Sequence, residues 1–119
     1  MNSIGHLMHR KSKERMFLAE TFPALAAELR QLLIEEGEPE LAAQVAGLRI
    51  LERCPCTDDF CATFYTEPKP DGAYGPDHRT LPLTPNKGML ILDVVGEKIA
   101  CVEVLNPDEI RQKLLSAIP

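Results

Sequence analysis

Tryptophan is absent from the 119 residues, and two tyrosines and four phenylalanines supply all the aromatic surface. Long apolar runs are missing too. The stretches at Met89 to Val95 and Ile99 to Val102 fall well short of the roughly 20 residues that cross a bilayer, which excludes a membrane span of that kind. Met16 to Leu18 is too brief for the apolar core of a secretory signal, and Glu20 follows at once, so a cytoplasmic placement is expected. Serine occurs only at Ser3, Ser12 and Ser116, and no G-x-S-x-G, Walker-type glycine loop, G-x-G-x-x-G or H-E-x-x-H is present. Serine hydrolase and nucleotide-binding chemistry lapse with those absences, and no residue is assigned a catalytic role.

What is present fits one ordinary globular domain, with 45% apolar and 26% charged residues. The formal net charge is −5, and it is unevenly spread. Residues 1–15 carry Arg10, Lys11, Lys13 and Arg15 against Glu14 alone and read as a loose basic arm. Residues 16–119 then read as a single acidic domain. An acidic body repels phosphate backbones, which argues against nucleic acid as a partner.

The expected fold class is α+β: an N-terminal helical hairpin, an antiparallel sheet of about four strands and a C-terminal helix. Thr21 is a candidate N-cap, Pro23 suits a first turn, and Leu25, Leu29, Leu32 and Leu33 recur at helical spacing until Gly37. Pro39 opens a second helix, with Leu41, Val45 and Leu48 on one side and Gly47 at its close. Near Leu48 the period changes from helical to two, which places a strand over 48–53 and another over Phe60 to Thr66. Met89 to Val95 and Lys98 to Leu105 flank Gly96-Glu97, a hairpin signal of the type II′ kind. Counting outward from that turn sets Val94 against Ile99, Leu92 against Cys101 and Leu90 against Glu103. Both hairpin faces are then mostly apolar, so either the hairpin is the covered centre of the sheet or a partner covers it. Asn106, Pro107 and Glu109 open a last helix carrying Ile110, Leu114 and Ile118.

Three features are candidates for chemistry or binding. Cys54, Cys56 and Cys61 form a C-x-C-x4-C cluster at a turn, and thiolates so placed suit zinc, with His78 or Cys101 completing the set. The spacing lacks the paired C-x2-C halves of a dependable zinc site, and the commoner use of such cysteines is as small buried apolar groups. The segment from Glu67 to Gly88, with five prolines and a short extended stretch at Thr80 to Leu83, is long for a plain connection. It holds Tyr74, Asp77, His78 and Arg79, candidate binding residues in which a carboxylate beside an imidazole could also serve acid/base work. The ordinary alternative is turn chemistry. Last, Asp93 and Glu103 interrupt apolar strands, and Glu103, a charge on a mostly apolar face, needs a partner, a function or an exposed edge, most simply as an edge-strand charge that blocks aggregation.

The run GMLILDVVGEKIACVEVL at 88–105 resembles the short β-meander of small bacterial proteins of the DUF2283 type, in which a compact hairpin ends in an acidic-apolar strand. The segment ERCPCTDDFCATFYTEPKPDGAYGPDHR likewise resembles an uncharacterised bacterial family. Neither resemblance implies an activity. The reading carried forward is a non-enzymatic cytoplasmic domain that binds a protein partner or a second copy of itself. A zinc-stabilised module on Cys54, Cys56, Cys61 and His78, and a small enzyme around His78, are its alternatives.

Overall fold

Phe17 and Arg49 form an isolated antiparallel bridge that closes the helical part of the chain on itself, with Ile50 N–H donating to Met16 C=O at 2.7 Å and Leu18 N–H to Leu48 C=O at 2.9 Å. The computed structural model describes residues 16–54, 62–85, 88–105 and 114–116. Within that bridge lie α1 (Leu18–Thr21), α2 (Pro23–Glu35), α3 (Pro39–Gln44) and a 3₁₀ turn (Val45–Gly47). Thr21 does not cap α2, because it ends α1; the N-cap position belongs to Phe22, which makes no side-chain cap and is buried in the core instead. Pro23 stands in the first turn as expected.

The α2–α3 joint follows from one glycine. Gly37 sits at φ +75°, and there Glu38 N–H reaches back to Leu33 C=O at 2.8 Å while Gly37 N–H reaches Ile34 C=O at 3.1 Å. This pair of bonds satisfies carbonyls that the helix end would leave unpaired. The chain therefore reverses within a few residues, and α3 returns along α2.

Downstream, the strands are β1 (Glu52–Arg53), β2 (Phe64–Tyr65), β3 (His78–Leu83), β4 (Met89–Val95) and β5 (Lys98–Leu105). All neighbours are antiparallel, in the order β1-β2-β5-β4-β3. The sheet thus has five strands where about four were expected, since His78–Leu83 is a full strand and not a brief extended stretch. The strand expected over 48–53 is regular only at Glu52–Arg53, and the strand expected over Phe60 to Thr66 is regular at Phe64–Tyr65, with Phe60 and Cys61 outside the described residues.

Two corrections concern the hairpin. Gly96 and Glu97 both have positive φ, +56° and +61°, which makes the turn type I′ and not II′. The register also slips: Val94 pairs with Ile99, but Asp93 pairs with Cys101, Leu92 with Val102, Ile91 with Glu103 and Leu90 with Val104. Ala100 is the extra residue of a β-bulge. Beyond the bulge β5 turns over relative to a regular count, and Val102 and Val104 face the helices while Cys101 and Glu103 face away.

One face of the sheet is largely apolar and packs on the helices. Phe64, Leu83, Leu90, Leu92, Val94, Ile99, Val102 and Val104 meet Leu18, Leu25, Leu29, Leu33 and Leu41 in one buried cluster. Residues 114–116 are helical, and Leu114 joins the same core. No described helix is long and apolar enough to cross a membrane.

Candidate functional site: the outer face of the sheet

With the helices on one side, the chemistry gathers on the other. Pairing places His78, Thr80 and Pro82 of β3, Ile91, Asp93 and Val95 of β4, Cys101 and Glu103 of β5, and Tyr65 of β2 on this outer face. The segment 66–77 leaves β2 and crosses it. Its start is fixed by Thr66, whose N–H donates to Ala100 C=O at 2.9 Å and whose hydroxyl donates to Ile99 C=O at 2.6 Å. Its end is fixed by Gly96 N–H on Asp77 C=O at 3.3 Å.

His78 Nε2 lies 2.8 Å from Asp93 Oδ1, and both side chains are largely buried. The Tyr74 ring lies against the imidazole, with centroids 4.5 Å apart and planes 31° to one another. Near it lies Cys101, which is 2% exposed. Burial raises the Tyr74 phenol and the Cys101 thiol far above their ordinary ranges, and the Asp93 charge pushes both the same way. A thiol so placed stays protonated and is a poor nucleophile. Glu103 completes the cluster. Burial, a hydrogen bond to Asp93 and the Asp93 charge push its carboxyl up to about 7, with His78 working against them.

The four sequence-named binding residues do not act as a unit. Tyr74 and His78 meet on the outer face, whereas Arg79 points to the helical side and grips Glu38 through two bonds of 3.1 and 3.0 Å, with Glu97 at 3.3 Å. This fork holds the Glu38 carboxyl below its usual range and raises the guanidinium. Asp77 is exposed, and the carboxylate on His78 is Asp93, fifteen residues away in sequence. Glu103 is no edge-strand charge, since β5 is the central strand.

For the cysteine cluster, Cys54 is half-buried, while Cys56 and Cys61 lie outside the described residues. Among the described residues no group of three or more His, Cys, Asp or Glu side chains is arranged to hold a metal ion. Asp93 and Glu103 are not evident as site residues from sequence, because a strand charge reads first as solvated. The signal that marked them was their position inside apolar strands.

The remainder of the outer face differs in character. Met89 is 53% exposed and pairs with Leu105, next to half-buried Ile91 and exposed Pro82. The outer face is therefore divided into a polar half under segment 66–77 and an open apolar half beside it. A scan of family models, a search of curated proteins and a search of solved structures each found no match to this chain.

Proposed function

We propose that the chain is a non-enzymatic cytoplasmic domain that binds protein through the open half of its outer sheet face, with a second copy of itself as the occupant. The observation that carries this reading is Met89, a large apolar side chain 53% exposed on the sheet. Leu105, Ile91 and Pro82 extend it into a contiguous patch rather than a lone exposed residue. Self-pairing suits an apolar patch without charge of one sign at its centre, because a two-fold axis brings each residue near its own copy.

Strand addition at the β3 edge is the less suitable mode. Pro82 has no N–H, and the His78 N–H is already given to Gly75 C=O at 3.2 Å, so little of that edge remains to pair with an incoming strand. A face-to-face contact is left. The protonated Cys101 thiol supports the non-enzymatic part of the reading, since this sulfur, the one buried cysteine among the described residues, is not poised to attack.

Sedimentation equilibrium tests the reading. The wild-type chain is expected to dimerise, and Met89→Lys to weaken association by about tenfold or more while circular dichroism stays native. A wild-type chain that remains monomeric at high concentration overturns it, as does a Met89→Lys variant with unchanged association.

A further inference from the structure

The apolar patch around Met89 has a carboxyl group at its border. Pro82 pairs with Ile91 and Ile91 with Glu103, so one cross-strand row runs from the exposed edge of β3 through the patch to Glu103 on the central strand. The next row on the same face is Met89 opposite Leu105. Directly paired residues lie about 5 Å apart, and successive rows on one face about 7 Å apart. Glu103 therefore adjoins both Ile91 and Leu105, and it is half-buried before anything docks.

A second copy that closes over Met89, Ile91 and Leu105 cannot leave so near a carboxylate in open water, because packed sheet faces lie only about 10 Å apart. A two-fold contact removes water from two such groups at once. The cations of the face are placed elsewhere. Lys69 lies 5.8 Å from the centre of the Tyr65 ring, His78 Nε2 is 2.8 Å from Asp93, and Lys98 stands opposite Val95 at the turn end of the hairpin. A carboxylate without a cation resists that loss of water, whereas a neutral carboxyl group tolerates it.

We propose that Glu103 makes self-pairing proton-linked: two copies associate tightly while its carboxyl is neutral and weakly once it is charged. The proposal rests on the self-pairing read from Met89 and names what regulates that surface. Around Glu103 stand Asp93 of β4, Cys101 of its own strand, Tyr65 of β2, His78 of β3, and Tyr74 and Lys69 of segment 66–77, with Glu52 and Cys54 of the β1 side beyond Tyr65. In the single copy burial raises the Glu103 carboxyl to about 7, Asp93 acts in the same direction and His78 against it. Pairing buries the group further and moves it up again. Association then takes up protons, so it is level below about 7, where free and paired chains are both protonated, and weakens as pH rises above that. Each further unit of upward shift on pairing corresponds to as much as about tenfold per copy.

Sedimentation equilibrium at two pH values tests this. The wild-type dimer is expected to be weaker by about tenfold or more at about pH 8.5 than at about pH 6. Glu103→Gln, native by circular dichroism, is expected to pair equally well at both. A wild-type dimer of equal affinity at the two pH values overturns the proposal and leaves self-pairing standing. A Glu103→Gln variant that keeps the wild-type dependence overturns it as well, because the proton then belongs to another group, such as His78. If wild type and Glu103→Gln are both monomeric at both pH values, self-pairing itself fails and the proposal falls with it. Should Glu103→Gln not fold, dilution calorimetry of the wild-type dimer in two buffers of different ionisation heat reads the same proton. Dissociation heats that differ between the buffers at about pH 7.5 in the sense of proton release support the link, and heats that agree reject it.

Discussion

Asp93 faces Cys101 across the β4–β5 pair, one residue out of step with a count begun at the Gly96-Glu97 turn. The bulge at Ala100 causes the slip, and its effect is to exchange the faces of everything beyond it on β5. In the unbulged register Glu103 would enter the hydrocarbon beneath α2 and α3, where an unpaired carboxylate is strongly disfavoured. Val102 and Val104 take that place instead, at 0% and 5% exposure, and Glu103 emerges on the outer face that also carries Asp93 and His78.

Stability against pH should report the Glu103 proton directly. Its carboxyl is raised in the folded chain from an ordinary 4.5 to about 7, so the folded state holds a proton that the unfolded state has already released between those values. The stabilisation is complete below about 4.5, declines as pH climbs to about 7 and is level above it. Glu38, which is lowered by Arg79, runs the other way and loses its contribution on acidification. Comparison with Glu103→Gln isolates the first effect. That variant is expected to gain on the order of 1 kcal/mol over wild type between about pH 5 and about pH 8, less than full linkage because the group is partly exposed. Urea melts at the two pH values check it, and a constant difference between the proteins would count against the assignment.

Gln44 is the clamp between α3 and the hairpin. Its Nε2 donates to Glu97 C=O at 2.7 Å, and its Oε1 accepts from Ile99 N–H at 3.1 Å. Both sides of the turn are thereby held by one amide. Gln44→Ala is expected to cost about 1–2 kcal/mol and to speed amide exchange at Ile99 well above that of Leu92. Unchanged exchange at Ile99 would show that the clamp is dispensable.

Metal removal separates the leading reading from the zinc alternative. The described core closes on hydrocarbon alone, from Leu18 through Val104 to Leu114, and the His78 Nε2 is already engaged by Asp93. A chelator is therefore expected to move the melting temperature by less than about 4 °C, the shift that corresponds to roughly 1 kcal/mol in a chain of this size. Elemental analysis finding one zinc per chain, with melting lowered on chelation, would restore Cys54, Cys56, Cys61 and His78 as a structural site.

Much of the architecture was legible because periodicity is a local property. Leu25, Leu29 and Leu33 repeat at helical spacing and are all buried, and the two runs around Gly96-Glu97 pair as a hairpin. Short strands were less legible, since β1 and β2 have two regular residues each and take their conformation from their neighbours. The site was the least legible. Asp77 and Arg79 stand beside His78 in sequence, yet alternation along β3 sends Arg79 to Glu38 on the opposite face. The actual partners, Asp93 and Glu103, arrive from two other strands.

By itself the sequence determined the order of helices and strands, the reversal at Gly37 and the hairpin at Gly96, because each depends on side-chain rhythm or backbone freedom within a few residues. Tertiary structure decided the register beyond Ala100, the face on which Glu103 emerges and the meeting of Tyr74, His78, Asp93 and Cys101. Those depend on which strand lies beside which, and on the free energy of keeping a carboxylate out of the hydrocarbon core, and no local pattern encodes either.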